Sequence, residues 1–486
     1  MRILLLRANL PHPHQSLGIP LGVLYLGAAL RLARPGRDEL RVLDPGRQGL
    51  SVADLGRMAG EWEPRVIGIS ALTPEAPAVH AIAAQVRARA PRATVVVGGP
   101  HATAAPGDLL ADHNIDVVCL GEGERTFPEL VEALDCGANL EEVAGLALRD
   151  SEGRVLRTQA RAPVADLDSL PWPAWDLVDL PAYSRIRNMN GGMLAARPYA
   201  GLFTSRGCPH RCIYCHDVFG KAIRWRSAGN VLDELSHLVG ERGIRELHVY
   251  DDIFNLDAER AGAICDGILS RGLRLKLAFP NALRGDALER GLIRKLAEAG
   301  TYTACLAVET ASPRLQKLLG KHLDLDRVTG AIEDCARAGI LTIGYFMLGF
   351  PTETPDELRA TVDFALRSRL HRASFFAVVP FPGTALERLA LKHHPGYSYG
   401  RHFGYFSTES FYSWATGVDL AAIQRDAYRR FYLDPARLWA LWRAYPSVTS
   451  FAREASSAAY CMLPGLHARR DRVEEGSVPA FLRRGT

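Results

Sequence analysis

The sequence predicts an α/β protein made of two successive strand–helix domains and a helical C-terminal segment. Short apolar runs alternate with longer stretches whose apolar residues recur at helical spacing, first over residues 1–140 and again over residues 196–390. Between these regions the sequence is rich in proline, and beyond residue 390 it is aromatic with a helical pattern. A chain of 486 residues is too long for one hydrophobic core, which agrees with several domains.

Composition and charge argue against several classes of protein. With 48% hydrophobic and 23% charged residues, the chain has the composition of a soluble globular protein. It contains no uninterrupted apolar stretch of about 18 residues, so no membrane span is predicted. The net charge of +4 is small and the basic clusters near the C-terminus lack interleaved aromatic residues, so no nucleic-acid partner is expected. Most of the nine cysteines are scattered singly, which favours a reducing compartment and predicts a cytoplasmic location.

Residues 1–140 are predicted to form a doubly wound, Rossmann-like domain. Its predicted strands are apolar, and the segments between them have helical periodicity. Ligands bind beyond the carboxyl ends of the strands in such a sheet, so the residues that follow the strands are the candidate binding residues. Small residues there, such as Gly98 and Gly99, allow a ligand to approach the backbone. The predicted strands are Ile3–Leu6, Leu40–Leu43, Val66–Ser70, Thr94–Gly98 and Val117–Leu120.

Residues 141–195 are predicted to be a linker that begins with a small hairpin. The hairpin strands are Leu146–Arg149 and Arg154–Leu156, on either side of a polar turn. Several prolines between residues 170 and 182 then disfavour regular structure.

Residues 196–390 are predicted to form a partial (β/α) barrel of six strand–helix units. Six units are too few to close an eight-stranded barrel, and the active site of such a fold lies at the carboxyl ends of its strands. The remaining residues, 391–486, are predicted to form a helical C-terminal cap. The predicted barrel strands are Leu202–Ser205, Glu246–Tyr250, Lys276–Phe279, Thr303–Val308, Thr342–Leu348 and Ser374–Val379.

Three cysteines lie on one short loop after the first of these barrel strands. Cys208, Cys212 and Cys215 have the spacing Cys-x3-Cys-x2-Cys. Thiolates are the usual ligands of iron–sulfur clusters, and a [4Fe–4S] cluster needs four ligands, so one iron would stay open to another ligand. The alternative is a zinc site or a set of incidental thiols. Structural zinc normally has four protein ligands, however, and this loop has no second cysteine pair.

The cysteine loop resembles the signature of radical S-adenosylmethionine (SAM) enzymes, in which the open iron binds SAM and its cleavage yields a 5′-deoxyadenosyl radical. Three later segments resemble further motifs of that family: Asp251–Phe254, Ala307–Ser312 and Gly344–Thr354. Two interpretations stay open for Lys321, a salt bridge to the SAM carboxylate and a solvated lysine. The resemblance implies that SAM binds at Tyr214, Asp251, Asp252, Glu309, Ser312, Gly344 and Phe346.

The pairing of Ser70-x-Leu72 with Gly98-Gly99 resembles the Ser-x-Leu and Gly-Gly elements of cobalamin-binding domains. Taken alone, these residues also suit a response-regulator-like or nucleotide-binding domain, but beside a radical SAM loop they favour cobalamin. The loop that contains His12 and His14 lacks the Asp-x-His-x-x-Gly motif, so no histidine ligand to cobalt is expected. The resemblance implies that cobalamin contacts Asn9, Leu10, Ser70, Leu72, Thr73, Gly98, Gly99, Pro100, His101, Gly121, Glu122 and Gly123.

The two domains together are similar to the cobalamin-dependent (class B) radical SAM methyltransferases. The resemblance implies methyl transfer from SAM via methylcobalamin to an unactivated carbon, or to phosphorus, of a small-molecule or natural-product substrate, after hydrogen abstraction by the 5′-deoxyadenosyl radical. Because the cofactors carry this chemistry, no catalytic side chain is assigned, and an electron donor such as a flavodoxin or ferredoxin is expected.

Other functions stay open on the same sequence. A radical reaction without methyl transfer, such as ring formation, ring contraction or hydration, is the main alternative, because fold and cofactors do not decide the outcome. A methylthiotransferase is disfavoured because the N-terminal domain lacks further cluster cysteines. A cofactor sensor is disfavoured because no DNA-binding module is evident.

Overall fold

The computed structural model describes residues 1–11, 18–190, 193–215, 218–399, 410–448 and 450–452, and the single residues 455 and 462. The chain divides into two compact units, one comprising Met1–Ile186 and one that begins at Arg187, and each is described by itself. Both units are built on wholly or mainly parallel sheets with flanking helices, so the predicted α/β class is confirmed. Among the helices that these residues form, none is both long and apolar enough to cross a lipid bilayer.

The first unit is built on a seven-stranded sheet. Its strands are β1 Arg2–Arg7, β2 Glu39–Leu43, β3 Val66–Ser70, β4 Thr94–Gly98, β5 Val117–Cys119, β6 Leu146–Arg149 and β7 Val155–Arg157. The strand order is β2-β1-β3-β4-β5-β6-β7, and β1 to β5 are parallel. The order reverses at β1, which is where a doubly wound sheet offers a crevice for a ligand.

Helices cover both faces of this sheet. They are α1 Leu21–Ala33, α2 Pro45–Gln48, α3 Val52–Trp62, α4 Ala76–Arg89, α5 Pro100–Ala104, α6 Pro106–Leu110 and α7 Gly123–Cys136. Helices α1 and α7 bury Leu30 and Phe127 against one face, and α3 and α4 bury Leu55 and Ile82 against the other. The central strands β1, β3 and β4 are therefore buried on both sides, which explains their nearly continuous apolar sequence.

The hairpin predicted at the start of the linker is present and belongs to the first sheet. Strand β6 pairs antiparallel with β5, and β7 pairs with β6. The following chain also stays with this unit, because the short helix α8, Leu180–Tyr183, places the hydroxyl of Tyr183 2.6 Å from Oδ2 of Asp44. The first compact unit therefore extends well beyond the predicted boundary at residue 140.

The second unit contains a six-stranded parallel sheet, as the six predicted strand–helix units require. Its strands and those of a small two-stranded sheet are β8 Tyr199–Leu202, β9 Ser205–Arg206, β10 Arg224–Trp225, β11 Glu246–Val249, β12 Lys276–Leu283, β13 Thr301–Glu309, β14 Leu341–Leu348 and β15 Arg372–Ala377. The large sheet has the order β15-β14-β13-β12-β11-β8, and β9 pairs antiparallel with β10. Helices follow the strands in sequence: α9 Ala228–Glu241, α10 Ala258–Ser270, α11 Arg290–Glu298, α12 Pro313–Leu318, α13 Leu325–Arg337 and α14 Pro355–Arg367.

The first barrel strand lies earlier in the chain than predicted. The prediction was Leu202–Ser205, but pairing with β11 ends at Leu202. Thr204 and Ser205 instead hydrogen-bond to the carboxylate of Asp251, so they leave the sheet. The apolar run predicted the region of the strand correctly. Its end was not predictable, because it is set by the contact of Thr204 with Asp251, which is distant in sequence.

The C-terminal part is helical where the structure describes it. Its helices are α15 Ala385–His393, α16 Phe411–Thr416, α17 Leu420–Tyr432 and α18 Pro435–Ala444. Helix α17 is joined to β15, because the hydroxyl of Tyr428 accepts a hydrogen bond from the main-chain N–H of Phe375 at 3.0 Å. The histidines of the first loop, His12 and His14, and most of the predicted cap beyond residue 452 lie outside the described residues.

Candidate functional site

The cysteine loop joins β9 to β10 and is held from two sides. Gly207, with a φ of 90°, begins the loop in a conformation that favours glycine. The main-chain N–H of Ile213 donates to the carbonyl of Leu319 at 3.0 Å, and the N–H of Leu386 donates to the carbonyl of Ile213 at 2.8 Å. The loop backbone is thus fixed between the end of α12 and the start of α15.

Gly320 allows the chain after α12 to lie directly against this loop. Its φ is +66°, and a Cβ at this position would lie 3.0 Å from the carbonyl oxygen of Arg211. On the other side of the contact, Sγ of Cys212 donates to the carbonyl of Gly320 at 3.7 Å. Only glycine satisfies both the backbone angle and the close approach.

The three thiols lie among charged neighbours. Partial burial raises the pKa of Cys208, and the carboxylate of Asp252 and the thiol of Cys212 raise it further. Metal coordination reverses this effect, because a coordinated thiol is deprotonated. Within the described ranges, no three His, Cys, Asp or Glu side chains converge as the ligands of a single metal ion do. The ligands of a cubane cluster bind separate irons, so they need not converge.

Tyr214, Glu309 and Lys321 meet beside the cysteine loop. The hydroxyl of Tyr214 donates to Oε1 of Glu309 at 3.3 Å, and Nζ of Lys321 lies 3.3 Å from the same oxygen. Burial, together with the carboxylate of Glu309, raises the pKa of Tyr214 well above its usual value, so the phenol stays protonated. The structure therefore brings two predicted SAM residues together and adds the lysine.

Glu309 is held in an unusual backbone conformation. Its φ is +66°, although it is not glycine, and only 7% of the residue is exposed. The pairing of β13 with β14 shifts register between Ala307 and Glu309, as a β-bulge does. Bulges and left-handed residues near strand ends re-aim side chains, and they cluster at functional sites.

Asp251 and Asp252 occupy the turn after β11, but they face different neighbours. Oδ1 of Asp251 accepts a hydrogen bond from the N–H of Thr204 at 2.6 Å, and Oδ2 accepts one from Ser205 at 2.7 Å. Asp251 is only 2% exposed, so its side chain has little surface to offer a ligand. Asp252 lies close enough to Cys208 and Cys215 to raise the pKa of both thiols.

Ser312, the other predicted SAM residue after β13, has a structural role here. Its hydroxyl caps α12 by accepting a hydrogen bond from the N–H of Leu315 at 3.1 Å, and it donates to Oε1 of Glu357 at 2.6 Å. A serine at this position is the expected helix cap. Both hydrogen-bonding functions of the hydroxyl are used within the protein.

Gly344 and Phe346 lie on the helix-facing side of β14. The ring of Phe346 is fully buried, with its centroid 5.4 Å from that of Phe375 and 6.3 Å from that of Phe364 on α14. A Cβ at Gly344 would lie 2.5 Å from a methyl carbon of Leu370. These side-chain positions are filled by packing, so at Gly344 and Phe346 only the main chain remains for a ligand.

The opposite face of β14 carries Tyr345, which the resemblance to the family motif did not single out. Successive side chains of a strand point to opposite faces, so Tyr345 lies on the face away from Phe346. Its hydroxyl donates to the carbonyl of Pro280 at 3.0 Å and accepts from Sγ of Cys305, also at 3.0 Å. The alternation along Gly344–Leu348 is the signal that would have separated the two faces.

In the first unit, the predicted residues at the ends of β3 and β4 come together. Arg7, Ser70 and Gly98 are in register on three adjacent strands. The next residue, Gly99, has a φ of +96°, and a Cβ there would lie 2.9 Å from the carbonyl oxygen of Ala71. The strand ends are therefore level and closely apposed, as a binding cradle requires.

Leu72, Thr73 and His101 border this cradle. Leu72 is 42% exposed, and its N–H donates to Oε2 of Glu75 at 2.8 Å. Thr73 begins the short 3₁₀ turn that follows. His101 is only 3% exposed, Nδ1 has no hydrogen-bond partner among the described residues, and burial lowers its pKa. Next to it, Pro100 is the first residue of α5.

The other predicted cobalamin residues have protein partners. Asn9 is buried, and its Nδ2 donates to Oδ1 of Asp44 at 2.6 Å, while Leu10 packs against the core. Oε2 of Glu122 accepts from the N–H of Val164 at 2.7 Å. The glycines on either side of Glu122 serve local packing and turning: a Cβ at Gly123 would lie 2.7 Å from Leu26, and Gly121 has a φ of +70°.

Two family models match the chain, one in each part. The model described as B12 binding domain matches residues 14–131, and the model described as Radical SAM superfamily matches residues 202–365. These matches confirm the predicted cofactors, which are cobalamin, SAM and a [4Fe–4S] cluster.

The similarity to one relative extends over nearly the whole chain. An uncharacterised methyltransferase of Pyrococcus horikoshii is 30% identical over 422 residues, which cover 86% of this chain and 88% of that protein. The chain belongs to the cobalamin-dependent radical SAM methyltransferase family. The cytidylyl-2-hydroxyethylphosphonate methyltransferase of Streptomyces wedmorensis is 31% identical over 362 residues, which cover 68% of this chain and 67% of that protein.

The fold of this methyltransferase resembles a solved structure. The radical SAM methyltransferase TsrM from Kitasatospora setae, with tryptophan and a SAM analogue bound, has a TM-score of 0.67 at 21% identity. The match covers 80% of this chain and 76% of that chain. The likeness supports the predicted order of a Rossmann-like domain, a radical SAM domain and C-terminal helices.

Proposed function

We propose that this enzyme methylates an unactivated carbon, or a phosphorus, of a small molecule. The proposal is carried by one observation: Tyr214, Glu309 and Lys321 meet directly beside the loop of the three cysteines. A carboxylate, a cation and a phenol at this loop would suit a ligand that carries both an amino and a carboxylate group, as SAM does.

The cysteine loop suits a [4Fe–4S] cluster. Cys208, Cys212 and Cys215 supply three thiolates, and the loop offers no fourth cysteine, so one iron is left for SAM. The close contact of Gly320 with Arg211 and the hydrogen bonds at Ile213 hold the loop in place without using the thiols. We therefore propose that the backbone of the loop fixes the positions of the three cysteines.

The residues proposed for SAM divide into two groups. Glu309, with Tyr214 and Lys321 on the same carboxylate oxygen, is the proposed partner of the cationic amino group or the ribose. Asp252 lies near the cysteines, where a carboxylate favours a cationic ligand. The side chains of Ser312, Phe346 and Asp251 are engaged elsewhere, and Gly344 has none, so we propose that only the main chain contributes at these four positions.

The end of the first sheet suits cobalamin. The close approach of Gly99 to the backbone of Ala71 brings the ends of β3 and β4 together, and the buried Nδ1 of His101 has no partner among the described residues, as expected of a group that serves a ligand. The exposed Leu72 offers an apolar side chain to the flat corrin. We propose no histidine ligand to cobalt, and we place Leu72 and Thr73 next to its lower face.

The protein and its cofactors divide the work. When bound, the cluster and SAM supply the 5′-deoxyadenosyl radical, and cobalamin supplies the methyl group. The residues of the chain bind and orient these groups, and the packed side chains around Tyr214 and Phe350 exclude water from the cluster. An electron donor such as a flavodoxin or ferredoxin is part of the proposal, since the cluster must be reduced for each turnover.

Product analysis tests the proposal. The enzyme is purified without oxygen, its cluster is reconstituted, and it is incubated with SAM, hydroxocobalamin and a strong reductant. Candidate substrates are then added, beginning with small phosphonates and aromatic amino acids. Methyl transfer predicts both 5′-deoxyadenosine and S-adenosylhomocysteine by mass spectrometry, with one methylated product.

Two results would contradict the proposal. If substrate-dependent 5′-deoxyadenosine forms without S-adenosylhomocysteine, the reaction is a radical conversion without methyl transfer, such as ring formation or contraction. If the Cys212→Ala variant keeps both the cluster and the activity, the cysteine loop is not the cluster site.

A further inference from the structure

The segment between β8 and the cysteine loop is held by charged side chains as well as by the small sheet of β9 and β10. Pairing of β8 with β11 ends where the N–H of Tyr250 donates to the carbonyl of Leu202 at 2.8 Å. Phe203, Thr204 and Ser205 follow directly, and Cys208 comes three residues later. The position of the first thiol therefore depends on what holds these three residues.

Asp251 binds this segment on one side. Its carboxylate accepts hydrogen bonds from the N–H and the hydroxyl of Thr204 and from the hydroxyl of Ser205, the last at 2.7 Å. All three residues are almost fully buried. A carboxylate with three donors in a buried site forms charge-assisted hydrogen bonds, which are stronger and shorter than neutral ones.

Two arginines bind the carbonyl groups of the same segment. Arg226 donates to the carbonyl of Phe203 at 2.9 Å and is itself paired with the buried carboxylate of Glu234 at 2.6 Å. Arg260 donates to the carbonyl of Thr204 at 2.6 Å and to the carbonyl of Arg226 at 2.8 Å. The carbonyl of Thr204 also accepts from the main-chain N–H of Arg226 at 3.0 Å, and Ser205 pairs with Trp225, so the charged side chains add to the backbone pairing of this segment.

We infer that Asp251 is a positioning residue for the cluster, acting through Thr204 and Ser205 on the loop that carries the cysteines. The turn after β11 thereby serves the cluster through Asp251, while its neighbour Asp252 faces the thiols. This inference rests on the proposed assignment of Cys208, Cys212 and Cys215 as cluster ligands. It goes beyond that assignment, because it names a side-chain contact that helps to fix the position of the loop at the end of β8.

The mechanism of action is geometric. Groups outside the ligand set orient the ligands, and their loss commonly reduces metal affinity or activity about 10- to 100-fold. In an Asp251→Asn variant, the side chain keeps one acceptor oxygen and carries an NH2 donor in place of the other. The N–H and hydroxyl groups of Thr204 and Ser205 then have only one oxygen to donate to, and the amide N–H opposes them. The loop should then shift while its three thiols remain available to iron.

The test compares Asp251→Asn with wild type and with Asp266→Asn as a matched control. Asp266 lies on α10, is more than half exposed and pairs with Lys295, so the same chemical change there leaves the loop untouched. Each reconstituted holoenzyme is measured for iron content, for the electron paramagnetic resonance spectrum of the reduced cluster with and without SAM, and for the rate of 5′-deoxyadenosine formation.

The inference predicts that Asp251→Asn binds iron, shows an altered SAM-induced change in the cluster spectrum, and cleaves SAM about 10- to 100-fold more slowly. Asp266→Asn should match wild type in all three. A wild-type spectrum and rate in Asp251→Asn overturns the inference, and so does a lowered unfolding temperature with an unchanged spectrum and rate, because that is a purely structural role.

A second variant keeps the test decisive if Asp251→Asn does not fold. The double variant Thr204→Val, Ser205→Ala removes the two hydroxyl donors and leaves the N–H bond of Thr204 to Asp251. It should show the same spectral change to a smaller extent, and a wild-type spectrum with a wild-type rate overturns the inference. Cys212→Ala separates the two proposals: retention of the full cluster there contradicts the ligand assignment, whatever Asp251→Asn does.

Discussion

The hydroxyl of Tyr214 and the carboxylate of Glu309 lie 3.3 Å apart, although 95 residues separate them in the sequence. Tyr214 directly precedes the last cysteine of the loop, and Glu309 ends β13 with a left-handed backbone conformation. The contact therefore ties the cysteine loop to the carboxyl end of the sheet. Lys321 approaches the same carboxylate oxygen. The carboxylate of Glu309 therefore connects the cysteine loop, the end of β13 and the segment that contains Lys321.

We expect Glu309→Gln to weaken SAM binding about 10-fold or more while the cluster is retained. The substitution keeps the size of the side chain but removes the charge, and hydrogen bonds to charged groups are worth about 1.5–3 kcal/mol. The dissociation constant of SAM, measured by titration of the reconstituted enzyme, checks this. Tyr214→Phe is the matched variant: it removes one hydroxyl but keeps the ring near Phe350, and its effect should be smaller. Equal SAM affinity in Glu309→Gln and wild type would contradict the proposed role.

Gly320→Ala should lower the amount of iron that the enzyme binds. The added Cβ would lie 3.0 Å from the carbonyl of Arg211 in the cysteine loop, and the φ of +66° is unfavourable for alanine. Iron and sulfide per chain after reconstitution are the measurement. Gly330→Ala is the control, because that glycine lies in α13 with nothing within 4 Å of its Cβ position, and alanine favours a helix. Normal iron binding in Gly320→Ala would show that the loop tolerates the displacement.

Gly99→Ala should weaken cobalamin binding by the first unit. The backbone there has a φ of +96°, and the new methyl group would meet the carbonyl of Ala71 at 2.9 Å and its N–H nitrogen at 3.1 Å. The ends of β3 and β4 would have to separate, which alters the cradle next to Ser70. Cobalamin bound per chain, read from its visible absorption after desalting, checks this. Gly107→Ala, where open space surrounds the Cβ position, should bind like wild type.

The sheets were predictable because each buried parallel strand is a short, continuous run of apolar residues in the sequence. Two predicted strands, Val66–Ser70 and Thr94–Gly98, coincide with β3 and β4 to the residue. Both are apolar except for one terminal residue, Ser70 or Thr94, and lie in the middle of the sheet, covered by helices on each face, so burial largely sets their composition. The cysteine loop was predictable for a similar reason, since its three cysteines lie within eight residues.

The roles of single side chains were less predictable, because distant contacts decide them. The motif that contains Asp251 indicated a SAM contact, whereas the side chain binds Thr204, 47 residues earlier. The motif assigned Phe346 to SAM. Neighbouring residues of a strand point to opposite faces, however, and the ring of Phe346 lies on the face that packs against α14. The roles of Arg226 and Arg260 were not predictable, because the sequence alone does not distinguish a surface arginine from a buried, paired one.

The buried carboxyl group of Glu353 should make the stability of the second unit depend on pH. Glu353 accepts hydrogen bonds from the N–H groups of Gly349 and Phe350 at the end of β14, and its other oxygen, Oε1, has no hydrogen-bond partner among the described residues. Burial is the main cause that raises the pKa of this carboxyl from its ordinary value of 4.5 to about 7. The folded protein thus holds this proton more tightly than the unfolded chain does.

The sign of the effect follows from that difference. The stabilising contribution is complete below pH 4.5 and is lost as the pH rises through about 7, a loss of about 3 kcal/mol for a shift of this size. In Glu353→Gln this decline should disappear, since the amide does not titrate. Urea unfolding at about pH 5 and about pH 8, followed by tryptophan fluorescence, measures the difference in both proteins.

Glu357→Gln serves as the opposite case on the same helix–turn segment. A hydrogen bond from Arg314 is the main cause that lowers the pKa of Glu357 from its ordinary value of 4.5 to about 2. Its contribution is therefore present above pH 4.5 and is lost as the pH falls toward 2, outside the range in which Glu353 acts. Glu357→Gln should consequently keep the wild-type decline between about pH 5 and about pH 8. If Glu353→Gln keeps that decline as well, another group is its source.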